Sequence, residues 1–254
     1  MKIVAILRIK NEILVINKCL AKLSELVDEI IVLDNGSTDG TQNVYVNFPK
    51  ITKILHTEGY DEGRDKVMLL DEARKTNPDW ILWIDGDEVF EDSFSRKVID
   101  IYMASSNSRI YFRMFNFWLS FERFRVDGPN YLYTLHPQRS MWRNTESAYF
   151  INTKMHNGDI QGITGKTYIS PYRLKHYGYA DAKKMKEKYD RYILEDNTGK
   201  RNYSHLDPNQ PFKSIRFREY ENVYVNMLYV YTFKYVCQVL WIIERLRLKL
   251  VKIF

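Results

Sequence analysis

With 254 residues, the chain is long enough to bury a large core, which excludes a small protein that needs disulfides or metals to fold. Apolar residues make up 45% of the chain and charged residues 28%, a balance that excludes global disorder. The net charge of +6 suits an anionic partner. Because no nucleic-acid-binding motif accompanies it, we expect no nucleic acid among the partners.

The cysteines and the N-terminus both favour the cytoplasm. Cys19 and Cys237 lie in apolar helical contexts without a CxxC spacing, which predicts a reducing compartment. The apolar run at residues 3–7 is short and is followed by polar residues 8–12, so no signal peptide is predicted.

Strand and helix patterns alternate through the first hundred residues. An apolar run at 3–7 predicts a strand, and apolar residues spaced three and four apart between 13 and 27 predict an amphipathic helix. Further strands are predicted at 30–33, 51–55 and 80–84, and further helices from Thr41 onward, at 61–76 and at 93–104. This alternation predicts an α/β fold with a mostly parallel sheet.

The pattern changes over residues 109–180. A strand is predicted at 109–115, and the remainder is rich in aromatic residues with little helical periodicity. We expect irregular strands and loops that cover one end of the sheet, where an acceptor substrate would bind.

Acidic clusters directly follow two of the predicted buried strands. The sequence DNGSTDGT at 34–41 follows IIVL, and DGDE at 85–88 follows WILWI. Ligands of open α/β sheets bind beyond the carboxyl ends of the strands. Carboxylates at that edge, with glycines that let the backbone approach closely, predict a site for a cation and a polar ligand such as a sugar nucleotide.

These segments resemble the family 2 glycosyltransferases of the GT-A fold, and bacterial lipopolysaccharide-core and capsule enzymes among them. ILRIKNE at 6–12 is followed by VLDNGSTDGT at 32–41, which is similar to the nucleotide-binding signature of that family. WILWIDGDE at 80–88 is similar to its segment with the metal-binding DXD motif.

The resemblance implies a domain organisation. It is strong over residues 1–90 and continues to about 195. It implies a GT-A catalytic domain at 1–195, with a nucleotide-binding half at 1–105 and an acceptor-side half at 106–195. The remaining segment, 196–254, is predicted to be a helical C-terminal extension.

The resemblance also implies roles for single residues. Asp87 would bind a divalent cation, Mn²⁺ or Mg²⁺, and His176, in HYGY at 176–179, would complete the metal shell. Six residues would bind the nucleotide-sugar donor: Arg8, Asn11, Glu12, Asp34, Arg64 and Asp85. Asp34 would accept a hydrogen bond from the nucleobase, Arg64 would lie near the base, and Asp85 would lie near the ribose.

Ordinary structural roles remain open for these residues. Asp34 also suits a helix cap or an Asx turn, and Asp85 and Asp87 flank a glycine as in a common turn. Arg64 also suits an exposed helix position, and a lone His176 also suits a surface site.

An inverting transfer needs a base to take the proton of the acceptor hydroxyl. Relatives carry His-Glu where this chain has His156 and Asn157, so the expected carboxylate is missing. Asp159 is the nearest substitute, and Glu88 is the second candidate.

The segment 220–254 combines tyrosines and Trp241 with a basic end that contains Arg245, Arg247 and Lys249. Polar residues interrupt its apolar stretch, which argues against a spanning helix. The pattern is typical of amphipathic helices on an anionic membrane surface. A helical hairpin packed on the catalytic domain, or on a second subunit in a homodimer, is the alternative.

The predicted function is transfer of a hexose from a nucleotide-sugar, UDP-linked, to a hydroxyl of a glycan or lipid-linked acceptor, with inversion. The predicted location is the cytoplasm, with peripheral attachment to the inner face of the plasma membrane. Two alternatives stay open: a binding or scaffold protein with a retired transferase fold, and a nucleotidyltransferase. The latter usually begins with a glycine-rich phosphate loop, and residues 6–12 contain no glycine.

Overall fold

A computed structural model gives the fold and describes residues 1–126, 137–154, 158–195, 203, 206–207 and 209–219. Its helices and strands alternate as an α/β protein. In chain order they are β1 (Ile3–Ile9), α1 (Ile16–Leu26), β2 (Glu29–Asp34), a 3-10 helix (Thr41–Asn47), β3 (Ile51–His56), α2 (Glu62–Lys75), β4 (Trp80–Asp85), β5 (Glu88–Phe90), α3 (Arg96–Ala104), β6 (Asn107–Trp118), β7 (Arg123–Arg125), β8 (Pro137–Arg143), β9 (Lys166–Tyr179), α4 (Ala182–Glu195) and β10 (Ser214–Arg216).

The first half of the chain builds the parallel part of a central sheet. Strand β1 pairs in parallel with β2 and with β4, and β2 pairs in parallel with β3. The side chains of alternate β1 residues point to opposite faces of the sheet, so that Ile3 packs against α1 and Val4 packs against α2. Because both faces are covered, these strands are apolar throughout, which is why their sequence shows runs rather than alternation. The predicted α/β fold is confirmed.

The second half adds longer strands to the same sheet. Strand β8 pairs antiparallel with β4, β6 pairs antiparallel with β8, and β9 pairs in parallel with β6. We expected a strand at 109–115 and irregular strands and loops after it, whereas β6 has 12 residues and β9 has 14. Three register shifts interrupt the pairing of β6 with β9. Each shift moves side chains to the other face, so a two-residue alternation does not persist along the sequence.

The short strand β5 determines where the polar site lies. It pairs antiparallel with β9, in a register that sets Glu88 opposite His176. Acidic residues that follow β4 are thereby joined to a histidine that lies almost ninety positions later in the chain.

Little of the predicted C-terminal extension is described. Within 209–219, β10 pairs antiparallel with β7 and extends the sheet, so this part of the predicted helical extension contains a strand. The predictions about membrane binding or packing of 220–254, with Trp241, Arg245, Arg247 and Lys249, lie outside the described residues. Among the helices that are described, none combines the length and apolarity needed to cross a bilayer.

Candidate active site

A cavity of about 310 Å³ lies at the carboxyl ends of β1 and β4. The parallel register sets Arg8 beside Asp85 at this edge, and the loop after β1 adds Asn11 and Glu12. Charged side chains dominate the described lining: Arg8, Lys10, Arg139, Lys184, Lys188 and Arg191 are basic, and Glu12, Glu62, Asp85, Asp87 and Glu187 are acidic. Such a lining suits a polar, charged ligand.

His176 faces Asp87 at the inner wall of the cavity. Its Nε2 lies 3.4 Å from Asp87 Oδ2, and its Nδ1 lies 2.6 Å from Asn116 Oδ1. An amide oxygen only accepts hydrogen bonds, so Nδ1 carries the proton and donates it to Asn116. The lone pair of Nε2 is therefore turned toward Asp87, which is the tautomer and the orientation that a metal-binding histidine needs.

The residues around this pair fit a divalent cation. Ligand atoms of Asp87, Glu88 and His176 all lie within 4.8 Å of one another, and the three side chains are buried. Asp85 Oδ1 is also buried, and it accepts no hydrogen bond from the part of the chain that is described. Carboxylate oxygens suit Mn²⁺ and Mg²⁺, and an imidazole is compatible with Mn²⁺.

The charges of the site keep Asp87 ionised. Burial opposes its ionisation, but the positive charge of Lys188, with His176 acting in the same direction, holds the pKa of Asp87 well below its usual range. The pKa of Glu88 is raised, mainly by burial and also by Asp85 and Asp87, while Arg139 opposes the rise. An ionised Asp87 is the form that binds a metal.

Arg139, on β8, organises the two flanking carboxylates. Its Nη2 donates to Asp85 Oδ2 at 2.6 Å, and its Nε donates to Glu88 Oε2 at 2.9 Å. The guanidinium lies over the ring of Trp83, 4.3 Å from the ring centroid. Glu88 also accepts from the backbone nitrogen of Asp85. Glu88 therefore positions Arg139 and the turn after β4, and it does not line the cavity.

Helix α4 contributes cations that the sequence reasoning did not assign to the site. Lys184 Nζ lies 2.5 Å from Glu12 Oε2, and Lys188 Nζ lies 2.6 Å from Asp87 Oδ2. Burial, reinforced by Asp87, raises the pKa of Glu12 to about 7, although both lysines oppose the rise. Residues 184, 188 and 191 are spaced four and three apart, which places them on one helix face. That spacing is the signal by which these cavity-lining residues could have been found.

Asn11 lines the cavity and also ties two loops together. Its backbone nitrogen donates to Ser37 Oγ at 2.9 Å, and its side-chain oxygen accepts from the backbone nitrogen of Thr38 at 2.7 Å. Its φ of 55° lies in the left-handed region, which asparagine tolerates better than most residues. The loop after β1 is thus held against the loop after β2.

Asp34 lies beneath the cavity wall. It is fully buried, and its carboxylate accepts hydrogen bonds from Ser37 N at 2.7 Å, Gln42 Nε2 at 3.1 Å and Tyr45 Oη at 2.6 Å. These bonds fit the Asx-turn alternative. The neighbouring Asn35 lines the cavity in its place, so the structure does not bring the Asp34 side chain to the predicted nucleobase contact.

Arg64 also lies outside the cavity lining. It donates to Asp65 Oδ1 at 2.7 Å and to the backbone oxygens of Glu58 and Gly59, both at 3.1 Å. Since these contacts engage its guanidinium at the start of α2, Arg64 holds the preceding loop. The structure brings Arg8 and Arg191 to the cavity near Tyr60 instead.

Asp159 is held in an ion pair away from the cavity. Arg109 Nη2 donates to Asp159 Oδ2 at 2.5 Å, and Ser140 Oγ donates to the same oxygen at 3.0 Å. Its other oxygen accepts from the backbone nitrogen of Ile160. This geometry opposes the predicted role of Asp159 as the base. His156 and Asn157 lie outside the described residues.

Comparison with known proteins identifies the family. The model of Glycosyl transferase family 2 matches residues 5–169, which is more than half of the chain. The chain belongs to this family. The resemblance inferred from the sequence is thereby confirmed, and with it the GT-A class of α/β fold.

Individual relatives of this family 2 chain are distant. Residues 1–349 of TarS from S. aureus, in complex with UDP-GlcNAc, are 15% identical with a TM-score of 0.46, over 82% of this chain and 70% of that one. The mannosyltransferase PcManGT from Pyrobaculum calidifontis, in complex with GDP-Man and Mn2+, is 15% identical with a TM-score of 0.42, over 77% of this chain and 65% of that one.

A curated relative is a TPR repeat-containing protein from Synechococcus elongatus, 36% identical over 83 residues. The match covers 32% of this chain and 19% of the relative, so it spans about a fifth of that protein's length.

Proposed function

We propose that this family 2 chain transfers a sugar from a nucleoside diphosphate donor to an acceptor hydroxyl with the help of a divalent cation. The observation that carries the proposal is the Asp87 and His176 pair, 3.4 Å apart in a charged cavity at the carboxyl edge of the sheet. A metal there would neutralise the charge that develops on the departing diphosphate. Asp87 and His176 would hold this metal.

The donor half of the proposal is supported by the cations of the cavity. A diphosphate needs positive partners, and Arg8, Lys10, Lys184, Lys188 and Arg191 line the same cavity as Asp87. Asn11 and Asp85 line it too, beside the ring of Tyr60. We propose that these side chains bind the donor, with Asp85 kept in place by Arg139.

The carboxylates of the cavity supply candidates for the base. Neither Asp159 nor Glu88 lines the described cavity, whereas Glu12, Glu62 and Glu187 do. Glu12 is distinctive because burial raises its pKa to about 7, a value at which a carboxylate accepts a proton readily at neutral pH. We assign the base to this group of three, with Glu12 first.

The finer parts of the proposal rest on the sequence resemblance. They comprise a UDP-linked hexose donor, Mn²⁺ or Mg²⁺, inversion, and a glycan or lipid-linked acceptor. Peripheral binding at the inner face of the plasma membrane through 220–254, with a homodimer as the alternative, rests instead on the aromatic residues and the basic end of that segment.

The test is a panel of UDP- and GDP-sugars, with and without Mn²⁺, read by thermal shift and by release of nucleoside diphosphate. A ligand present at a hundred times its Kd stabilises a fold by about 2.7 kcal/mol, which such a scan resolves. We expect a metal-dependent shift and slow diphosphate release in the unaltered protein. Asp87→Asn should lose the metal-dependent shift, because it removes the charge that would hold the metal. Asp71→Asn, at an exposed position of α2, is its matched control and should behave like the unaltered protein.

Other outcomes of the panel favour the alternatives. Binding of a nucleotide-sugar without any turnover would favour the retired scaffold. Turnover of a nucleoside triphosphate with a sugar phosphate would favour a nucleotidyltransferase. Absence of every metal-dependent shift would falsify the metal-assisted proposal.

A further inference from the structure

Lys188 contacts Asp87 at the carboxylate oxygen that faces His176. Its ammonium lies 2.6 Å from Asp87 Oδ2, and the lysine side chain is only 16% exposed and the aspartate 6%. Asp87 Oδ2 is also the oxygen that faces His176 Nε2. One carboxylate oxygen thus lies near both the lysine ammonium and the histidine Nε2.

Gly178 shows that these three groups surround a single point. A methyl carbon added at Gly178 would lie 2.2 Å from Lys188 Nζ, 2.5 Å from Asp87 Oδ2 and 2.6 Å from His176 Nε2. Gly178, the penultimate residue of β9, has no side chain to occupy this point. The distances to the carboxylate oxygen and the imidazole nitrogen exceed the about 2.0–2.2 Å of bonds to a small divalent metal by a few tenths of an ångström, so both side chains would move slightly inward around a cation held there.

A divalent cation and the ammonium of Lys188 cannot share that point. Two positive charges within a few ångströms repel strongly in a partly buried site. The cation and the ammonium would also have to contact the same oxygen of Asp87, Oδ2. The lysine has a flexible four-carbon stem, so it can leave without movement of α4. Glu12, which lines the same cavity and already attracts the charge of Lys188, is a group that the ammonium can then meet. The diphosphate of a donor bound in the cavity would be another.

We propose that Lys188 is an internal cation that holds Asp87 in the ligand-free protein and moves to the donor diphosphate when a divalent cation binds. The second half of this statement rests on the proposed function, because it requires a diphosphate ligand. The first half does not, since it concerns only metal and protein. Lys188 thereby keeps the metal site from filling before the donor arrives, and it makes metal and diphosphate bind together.

The test measures Mn²⁺ binding by the full chain without nucleotide, by electron paramagnetic resonance of free Mn²⁺. A hydrogen bond to a charged group contributes enough that its removal should raise Mn²⁺ affinity roughly tenfold in Lys188→Met. Lys186→Met is the matched control, because Lys186 is 58% exposed on the same helix and pairs with Asp190. It should leave Mn²⁺ affinity unchanged. Unchanged or weaker Mn²⁺ binding in Lys188→Met overturns the proposal.

A second variant tests the shared point directly. Gly178→Ala places its methyl group among side-chain ends that can shift, so we expect the fold to persist while Mn²⁺ affinity falls roughly tenfold or more. Unaltered Mn²⁺ binding in Gly178→Ala would show that the metal lies elsewhere and would also overturn the proposal. Circular dichroism checks the fold of each variant, and Lys188→Gln replaces Lys188→Met if the latter does not fold.

The diphosphate half has its own measurement. With Mn²⁺ present, Lys188→Met should bind UDP roughly tenfold more weakly and uridine equally well, as expected when one charged partner of the diphosphate is lost. Equal UDP binding by Lys188→Met and the unaltered protein overturns this half. If Lys188→Met gains Mn²⁺ affinity but no nucleotide-sugar is turned over, the competition stands and the proposed function fails.

Discussion

Two buried ion pairs flank the short strand β5 and differ in how completely their charges are satisfied. On one side, Glu91 Oε2 accepts from Arg173 Nε at 2.8 Å and Nη2 at 2.6 Å, and Glu91 Oε1 accepts from the backbone nitrogen of Arg173 at 2.7 Å. On the other side, Asp87 shares one oxygen between Lys188 and His176 and faces the cavity. Both pairs are buried, so burial alone does not distinguish them.

The two pairs differ in whether their charged groups already have all their hydrogen-bond partners within the protein. Arg173 also donates to the backbone oxygen of Arg218, so this pair fastens β9 to the segment after β10. A buried pair whose groups are bound on all sides contributes to structure, and breaking it leaves an uncompensated charge. Asp87 instead contacts Lys188 and faces His176 and Gly178 at the edge of the cavity. A partly satisfied pair of this kind at a cavity is where a ligand gains most.

The largest expected effect is on catalysis at Asp87. Asp87→Asn keeps the size of the side chain but removes the charge that would hold the metal, so we expect turnover to fall about 10³-fold, a loss of several kcal/mol of transition-state stabilisation. The measurement is the rate of nucleoside diphosphate release with a responsive sugar nucleotide. Circular dichroism should show an intact fold, and turnover close to that of Asp71→Asn would contradict the role of Asp87.

The next effect is on stability at Glu91. Glu91→Gln leaves the Arg173 guanidinium, whose side chain is 1% exposed, without its carboxylate, and should lower the free energy of unfolding by about 3–5 kcal/mol. Urea denaturation measures this loss. Glu25→Gln removes a carboxylate that is 67% exposed and pairs with Lys22 on α1, and it should change stability little.

Mn²⁺ binding should also distinguish the Glu91 pair from the Asp87 pair. If Glu91→Gln folds at low temperature, its Mn²⁺ affinity should match that of the unaltered protein. A large loss of Mn²⁺ binding with no loss of stability would show that the Glu91 pair belongs to the active site and does not serve the fold alone.

A third buried pair, Lys66 and Glu62, differs from these two in that its contribution to stability depends on pH. Burial lowers the pKa of Lys66 to about 8 from 10.5, although Glu62 opposes this shift. Between these two pH values the unfolded chain holds a proton that the native lysine has lost, so stability rises with pH across this window. Below it, the burial penalty is fully present.

The size of this rise follows from the shift, on the order of 3 kcal/mol at 1.36 kcal/mol per pKa unit. Urea denaturation at pH 7.5 and pH 10 measures it against Lys66→Met, which should lack this contribution. Lys75→Met, at a position 69% exposed on the same helix, should retain it. Parallel pH profiles for the unaltered protein and Lys66→Met would show that Lys66 keeps its charge.

The smallest effect on turnover is expected at Asp159. Because Arg109 and Ser140 engage its carboxylate outside the cavity, Asp159→Asn should change turnover by less than the ~10²-fold that marks loss of a general base. Glu12→Gln, measured alongside, should lower turnover and remove a pH dependence near 7. A drop of ~10²-fold or more in Asp159→Asn would restore the sequence-based assignment.

The fold of the first half of the chain could be predicted from local sequence patterns. The apolar runs of β1, β2 and β4 predicted buried parallel strands, and the acidic residues after them predicted a polar site at their carboxyl ends. Strands buried on both faces leave a signature within a few residues, so contacts from distant parts of the chain are not needed to recognise them. The family resemblance depended on the same short segments.

Which charged side chains lie in contact at the site depends on the tertiary structure. His176 reaches Asp87 only through the register of β9 with β5, and Lys188 reaches it from α4, a hundred residues further along the chain. Asp34 and Asp159 carry the right chemistry but are engaged by Tyr45 and by Arg109. A carboxylate in a sequence does not reveal its partner, because ion pairs form between residues that only the folded sheet brings within a few ångströms.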